Sequence, residues 1–199
     1  MKFDIAPDLF LKFLQRSDAE DLFRVVDANR DFLRSWLPWL DRNCSPDDSR
    51  KFIESIHRQE NADLGFACGV YWKDSLVGMC GFHEINKQEQ SVVIGYWLSE
   101  DCQGNGIISR CTSFFIDYAF DKLSLEKVWI PVAEGNIRSR KVCERLGLVS
   151  EGISQRAEWL YVRWVNHVCY AMDAQRWREI SQNANSRSSG MRQLLPSTR

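Results

Sequence analysis

Three things are scarce in this 199-residue sequence, and each scarcity closes off a class of function. Net charge is one of them. The 26 Lys and Arg against 27 Asp and Glu leave −1, so no global field draws the chain to nucleic acid or to an anionic membrane. Long apolar runs are another, since no stretch approaches the roughly 20 residues that cross a bilayer. The first ten residues, MKFDIAPDLF, carry Asp4 and Asp8 and lack the apolar centre of a signal peptide. The third scarcity is metal-ligand spacing. The histidines are only His57, His83 and His167, far apart, and the seven cysteines contain no C-x-x-C pair. No metal is expected. An odd number of cysteines, most of them in apolar runs where they act as small hydrophobes, fits a reducing, cytoplasmic setting.

What is present is the material of a folded core. A hydrophobic share of 44% in a chain of this length suits one domain, expected over residues 1–180. From Ser181 the composition turns to Ser, Asn, Arg and Gln, and residues 181–199 are expected to form a polar, flexible tail.

The patterning alternates between helix and strand. Leu9–Leu14 reads as a short strand and Asp18–Leu33 as a helix capped by Ser17 or Asp18. Pro38 breaks the aromatic segment Trp36–Leu40. A second helix is expected from Pro46 or Asp47 to Gln59, with Phe52, Ile53 and Ile56 inward. Leu64–Trp72 and Leu76–His83 flank a turn at Lys73-Asp74-Ser75, and Val92–Leu98 is a third strand, apolar enough to be covered on both faces. Ile108, Cys111, Phe115 and Tyr118 then mark one helical face. Val128–Val132 is a strand in which Pro131 cannot donate, so pairing should fail there on one side. Ser139, Val142, Cys143 and Leu146 mark another helix, stopped by Gly147. Two last strands are read at Glu158–Val162 and Val165–Met172.

One junction stands out. The segment QGNGIIS (Gln103, Gly104, Asn105, Gly106, Ile107, Ile108, Ser109) sits between a strand and a helix, where free amides and the helix dipole bind phosphate. It is not a P-loop, because Ile107-Ile108 stand where Lys-Ser/Thr would be. It is not a dinucleotide fingerprint either, because the third glycine is missing.

Taken with its surroundings, the loop becomes specific. IGYWL, a short acidic linker, QGNGIIS, a helix, a strand and then GNIRSRKVCERLGL closely resemble the GNAT superfamily of N-acetyltransferases, nearest to the ribosomal-protein enzymes of the RimJ/RimL type. The segment LFRVVDANRDFLRSWLPWL and the ending LVSEGISQRAEWL…HVCYAM extend the resemblance over about residues 8–173. It implies an α/β fold with a mixed, mainly antiparallel sheet flanked by helices, its strands splayed at an acetyl-CoA site. Gln103 to Ser109 would cradle the pyrophosphate, with Ile108 crowding a position that relatives give to a small residue. The backbone of Tyr96, Trp97 and Leu98 would pair with the pantetheine arm, and Asn136 and Ser139 would meet the thioester. Arg138, Arg140, Lys141 and Arg145 either reach the nucleotide phosphates or form a solvated basic face.

The same resemblance sets Glu158 near the acceptor amine as general base, with Ser139 donating to the departing sulfur and Trp36 and Trp39 on the acceptor wall. Cys143 stands where many relatives carry a tyrosine acid, and is expected to be a buried neutral thiol. An α-amine with a pKa near 7.8 is roughly 14% neutral at pH 7, against roughly 0.04% for lysine, a gap worth roughly 3.5 kcal/mol. A site with one candidate base suits the easier task. The expected acceptor is therefore a protein N-terminus, as on a ribosomal protein. A small-molecule amine is the alternative, and a non-catalytic acyl-CoA-binding module is the alternative from another class. Acetyl-CoA and the acceptor are the expected partners, with a homodimer allowed and neither nucleic acid nor membrane.

Overall fold

The computed structural model describes residues 1–192. Among them, eight strands form one sheet in the order β1-β2-β3-β4-β5-β6-β8-β7. They are β1 (Lys2–Ala6), β2 (Leu9–Lys12), β3 (Ala67–Trp72), β4 (Ser75–Asn86), β5 (Ser91–Leu98), β6 (Lys127–Ala133), β7 (Val149–Leu160) and β8 (Arg163–Asp173). Every neighbouring pair is antiparallel except β5 and β6. The mixed, mainly antiparallel sheet expected from the sequence is therefore the one found.

Helices cover both faces. On one lie α1 (Ala19–Ala28), α2 (Arg30–Arg34) and α3 (Pro46–Asn61), which enclose Leu22, Val26, Leu33, Ile53 and Ile56 against Tyr71, Leu76 and Met79. On the other, α4 (Ile107–Asp121), α5 (Ile137–Arg145) and α6 (Ala174–Arg192) join the larger core around Phe82, Phe115, Ile116 and Ile130. Trp177 of α6 donates its indole N–H to Asp117 of α4 at 2.6 Å, which docks the last helix.

The parallel seam between β5 and β6 is short. Only Ser91, Val92 and Val93 pair with Lys127, Val128 and Trp129, after which the strands part. On its other side β6 stays paired with β8 along its whole length, through Pro131 opposite Cys169. Pairing therefore fails on one side only, just before the residue that has no N–H to give. The gap opens beside Tyr96, Trp97 and Leu98.

Several boundaries differ from the sequence reading, each for a physical reason. β1 is an additional edge strand, and the strand read at Leu9–Leu14 stops at Lys12. The helix read at Asp18–Leu33 is two helices. It breaks at Asn29, whose side chain accepts the Glu100 N–H at 2.9 Å. Asp18 stands at the N-cap of α1 but its side chain does not bond that helix; its carboxylate takes the Gln15 N–H at 2.7 Å, closing a capping box on the 3-10 turn Arg16–Asp18, and the Lys12 ammonium at 2.9 Å. Phe52 is 41% exposed, while Ile53 and Ile56 are inward. The strand read at Glu158–Val162 begins at Val149 and ends at Leu160, its exposed polar run hiding the period-2 signal. The polar segment from Ser181, expected to be a flexible tail, continues α6 as far as Arg192. The remainder, 193–199, lies outside the described residues.

Candidate active site

The glycine loop has the conformation its composition calls for. Gly104 and Gly106 have φ of +82° and +69°, the left-handed region that residues with a Cβ avoid. A β-carbon built on either would meet nothing within 4 Å, so both glycines border open space. Asn105 folds the turn, donating its side-chain N–H to the carbonyls of Cys102 at 3.1 Å and Gln103 at 3.2 Å. Gly106 is the N-cap of α4, and no side chain caps that helix. The first amides of α4, from Ile107 to Ser109, thus point into an open cradle with the positive end of the dipole behind them. Ile108 does not crowd the loop as expected, because its side chain turns into the core and is 7% exposed.

Basic side chains surround this cradle. Arg110 donates to the Asn105 carbonyl at 2.8 Å. From α5, Arg138 donates to the Gln103 side chain and Arg145 to Ser109 Oγ at 3.4 Å. Arg140 faces elsewhere, toward Tyr170 and the Glu134 carbonyl. Arg110 escaped the sequence reading because an arginine four residues into a helix carries no signal of its own.

Where β5 and β6 part, Tyr96 and α5 meet. Asn136 caps α5 by accepting the Ser139 N–H at 3.1 Å, which holds Ser139 in the first turn. The Tyr96 hydroxyl lies 3.0 Å from Ser139 Oγ and 3.8 Å from Cys143 Sγ. Burial pushes the Cys143 thiol up to about 12 and the Tyr96 phenol well above its ordinary value, so both stay protonated at neutral pH.

On the opposite face of β5 lies a second group. Gly95 has no side chain because His83 occupies the space a β-carbon would need. His83 is the extra residue of a bulge in β4, between Phe82 opposite Ile94 and Glu84 opposite Val93. Burial lowers its pKa, and the nearby Glu158 charge opposes that shift. Glu158 is aimed by another bulge. The register between β7 and β8 slips from Ser154 opposite His167 to Glu158 opposite Val165. Within the slip Arg156 has φ +50° and gives its N–H to the Asn166 side chain at 3.0 Å. The Glu158 carboxylate lies 3.7 Å from His167 Nε2, and His167 stands beside Ala133 at the end of β6.

The two tryptophans differ. Trp36 comes within 3.9 Å of the point a β-carbon on Gly135 would occupy, next to Asn136. Trp39 packs against Trp97 and Phe52, with ring centres 6.3 and 6.4 Å away. Their segment is tied to the β7–β8 turn by Tyr161, which donates to the Leu37 carbonyl at 2.6 Å and accepts the Leu40 N–H at 3.2 Å. The Arg34 guanidinium lies 3.8 Å from the Tyr161 ring centre. Tyr161, His83 and His167 stand beside these groups, and the sequence did not single them out.

An open glycine loop at a helix N-terminus, with arginines beside it and a splayed strand pair next to it, is an arrangement suited to a phosphate-bearing donor. The sequence matches the acetyltransferase (GNAT) domain over residues 8–149, and the chain belongs to that family, whose members move acetyl from acetyl-CoA to an amine. It is similar to YdaF of Bacillus subtilis (strain 168), whose name provisionally calls it a ribosomal N-acetyltransferase. The two are 34% identical over 170 residues, 84% of this chain and 92% of that protein. The ribosomal-protein-serine acetyltransferase of Escherichia coli (strain K12) is 27% identical over 159 residues, 78% of this chain and 87% of that one. In fold, the RimL ribosomal L7/L12 α-N-protein acetyltransferase, solved with coenzyme A, superposes with a TM-score of 0.83. That match has 22% identity and covers 88% of this chain and 99% of the other. The open glycine loop and the arginines beside it suit the phosphates of acetyl-CoA, and among the described residues no group of three or more His, Cys, Asp or Glu could hold a metal ion.

Proposed function

We propose that this enzyme acetylates the N-terminal α-amine of a ribosomal protein in the cytoplasm. The observation that carries the reading is Glu158, a carboxylate just past a register slip in β7 and 3.7 Å from His167 Nε2. One carboxylate with imidazole neighbours suits an amine that already loses its proton near neutrality. The relatives named for ribosomal substrates, which align over most of both chains, support the same acceptor.

Acetyl-CoA supplies a thioester whose carbonyl carbon an amine attacks directly. The amides of Ile107 to Ser109, with Arg138 and Arg145 beside them, hold its phosphates. Glu158 takes the proton that the amine gives up, through a water. Ser139 donates a hydrogen bond to the sulfur as the carbon–sulfur bond breaks, from a helix N-terminus that favours negative charge.

A thiol-release assay with acetyl-CoA tests the reading against N-terminal peptides of ribosomal proteins, the same peptides with blocked N-termini, lysine peptides and polyamines. The expected result is turnover of the free N-terminal peptides and none of the blocked ones. Polyamines or lysine peptides as the best substrates, by kcat/KM, would overturn it.

A further inference from the structure

We propose that Tyr96 is a positioning residue for the leaving sulfur, its hydroxyl fixing the direction in which Ser139 donates. The identity of that sulfur rests on the acetyl-transfer reading. The Tyr96 hydroxyl faces three groups of α5: Ser139 Oγ at 3.0 Å, the Ser139 carbonyl at 3.4 Å and Cys143 Sγ at 3.8 Å. A phenol has one proton to give and lone pairs that accept.

The single Tyr96 proton goes to the nearest of the three acceptors, Ser139 Oγ at 3.0 Å, rather than to the Ser139 carbonyl at 3.4 Å or to Cys143 at 3.8 Å. The Cys143 thiol, kept protonated by burial, donates weakly into the Tyr96 oxygen. With Tyr96 donating to its side, Ser139 Oγ is filled as an acceptor and its own proton is free for a third group. The order is then Cys143 to Tyr96 to Ser139 to sulfur. In the reverse order Ser139 would spend its proton on Tyr96 and present only lone pairs to a developing thiolate. That arrangement repels the charge it should stabilise.

No proton leaves Tyr96 in this scheme. The amine nitrogen forms its bond to the carbonyl carbon, the carbon–sulfur bond breaks, and its electron pair stays on sulfur, which accepts the Ser139 hydrogen bond. The amine proton goes to Glu158 and on to solvent. The phenol that serves the leaving group therefore comes from β5, while the α5 position that faces it is the thiol of Cys143.

The test is a double-mutant cycle of Tyr96→Phe and Ser139→Ala, read in kcat, together with binding of coenzyme A and of desulfo-coenzyme A. Tyr96→Phe keeps the ring and removes only the hydroxyl. It should lower kcat about 10- to 100-fold with the KM for acetyl-CoA unchanged, the range of one hydrogen bond to a charge. In the Ser139→Ala background the same change should cost less than about twofold. At about pH 9, where a thiol is largely ionised, the wild type should bind coenzyme A more tightly than the desulfo analogue. Tyr96→Phe should erase that preference while leaving affinity for the desulfo analogue intact. Independent effects in the cycle, or equal loss of affinity for both ligands, would overturn the proposal. If the wild type shows the sulfur preference yet acetylates no amine, the acetyl-transfer reading falls and the positioning of the sulfur stands.

Discussion

The two sides of the cleft are built in opposite ways. The proposed donor side is local: Gln103 to Ser109, Asn136 and Ser139 come from two loop–helix junctions, one of them shaped by left-handed glycines. The proposed acceptor side is drawn from distant parts of the chain, with Trp36 before α3, His83 in β4, Glu158 in β7, Tyr161 at the turn and His167 in β8. A site for a fixed cofactor can be written into a short motif. A site for one particular amine is written into side chains that only the fold collects. Disturbing the donor side should therefore act on cofactor affinity, and disturbing the acceptor side on turnover and acceptor KM.

The largest expected effect is on the donor side. Gly106→Glu places a β-carbon at φ +69° and a negative charge inside the cradle. Binding of coenzyme A should be lost by calorimetry while circular dichroism shows a folded protein. Next comes Glu158→Gln, which keeps the shape and removes the basic oxygen. It should lower kcat about 10²- to 10⁴-fold at neutral pH with cofactor affinity unchanged. The deficit should shrink above about pH 8 for an α-amine and persist to roughly pH 10 for a lysine, so one profile also reports the acceptor class.

A weaker acceptor-side change is Tyr161→Phe. It strips the Leu37 carbonyl and the Leu40 N–H of their partner, a loss of about 1 kcal/mol for groups near the surface. Acceptor KM should rise severalfold and coenzyme A affinity should hold; equal effects on both ligands would break the two-sided picture. The smallest effect concerns His83. Burial holds its pKa below the ordinary value, so the unfolded chain binds a proton that the folded one resists. Its stability contribution is complete above about pH 6.5 and is lost as pH falls from there toward the folded pKa. His83→Gln should flatten the fall in Tm between about pH 6.5 and pH 5, and Glu158→Gln, by removing the opposing charge, should steepen it.

The same asymmetry explains what could be read in advance. The strand–loop–helix junction announced itself because left-handed glycines leave a residue-level mark. The spacing of Asn136 and Ser139 is likewise that of one helical turn. Glu158 was legible only through the family resemblance, since the bulge that aims it lies in a strand whose residues Val149–Trp159 are almost all exposed and carry no alternation. His83 reads as an ordinary end of a strand until Gly95 is seen to make room for it. The break at Asn29 depends on a bond to Glu100, a partner 71 residues away that no local window contains.

The three-pair seam between β5 and β6 limits what can lie inside this sheet. A sheet normally has two edges, and here they are β1 and β7. The parting of β5 from β6 makes a third, in the interior, where Tyr96, Trp97 and Leu98 carry main-chain groups that no strand of the sheet completes on that side. An outer edge invites any passing strand, with the risk of association that this brings. An interior edge does not, because a guest strand would have to lay two rows of side chains into a wedge bounded by β6 and α5. A slender chain that carries amides but no side chains can lie there. On the proposed placement of the carrier arm, its selection would rest on the ladder itself, in place before any side chain is chosen.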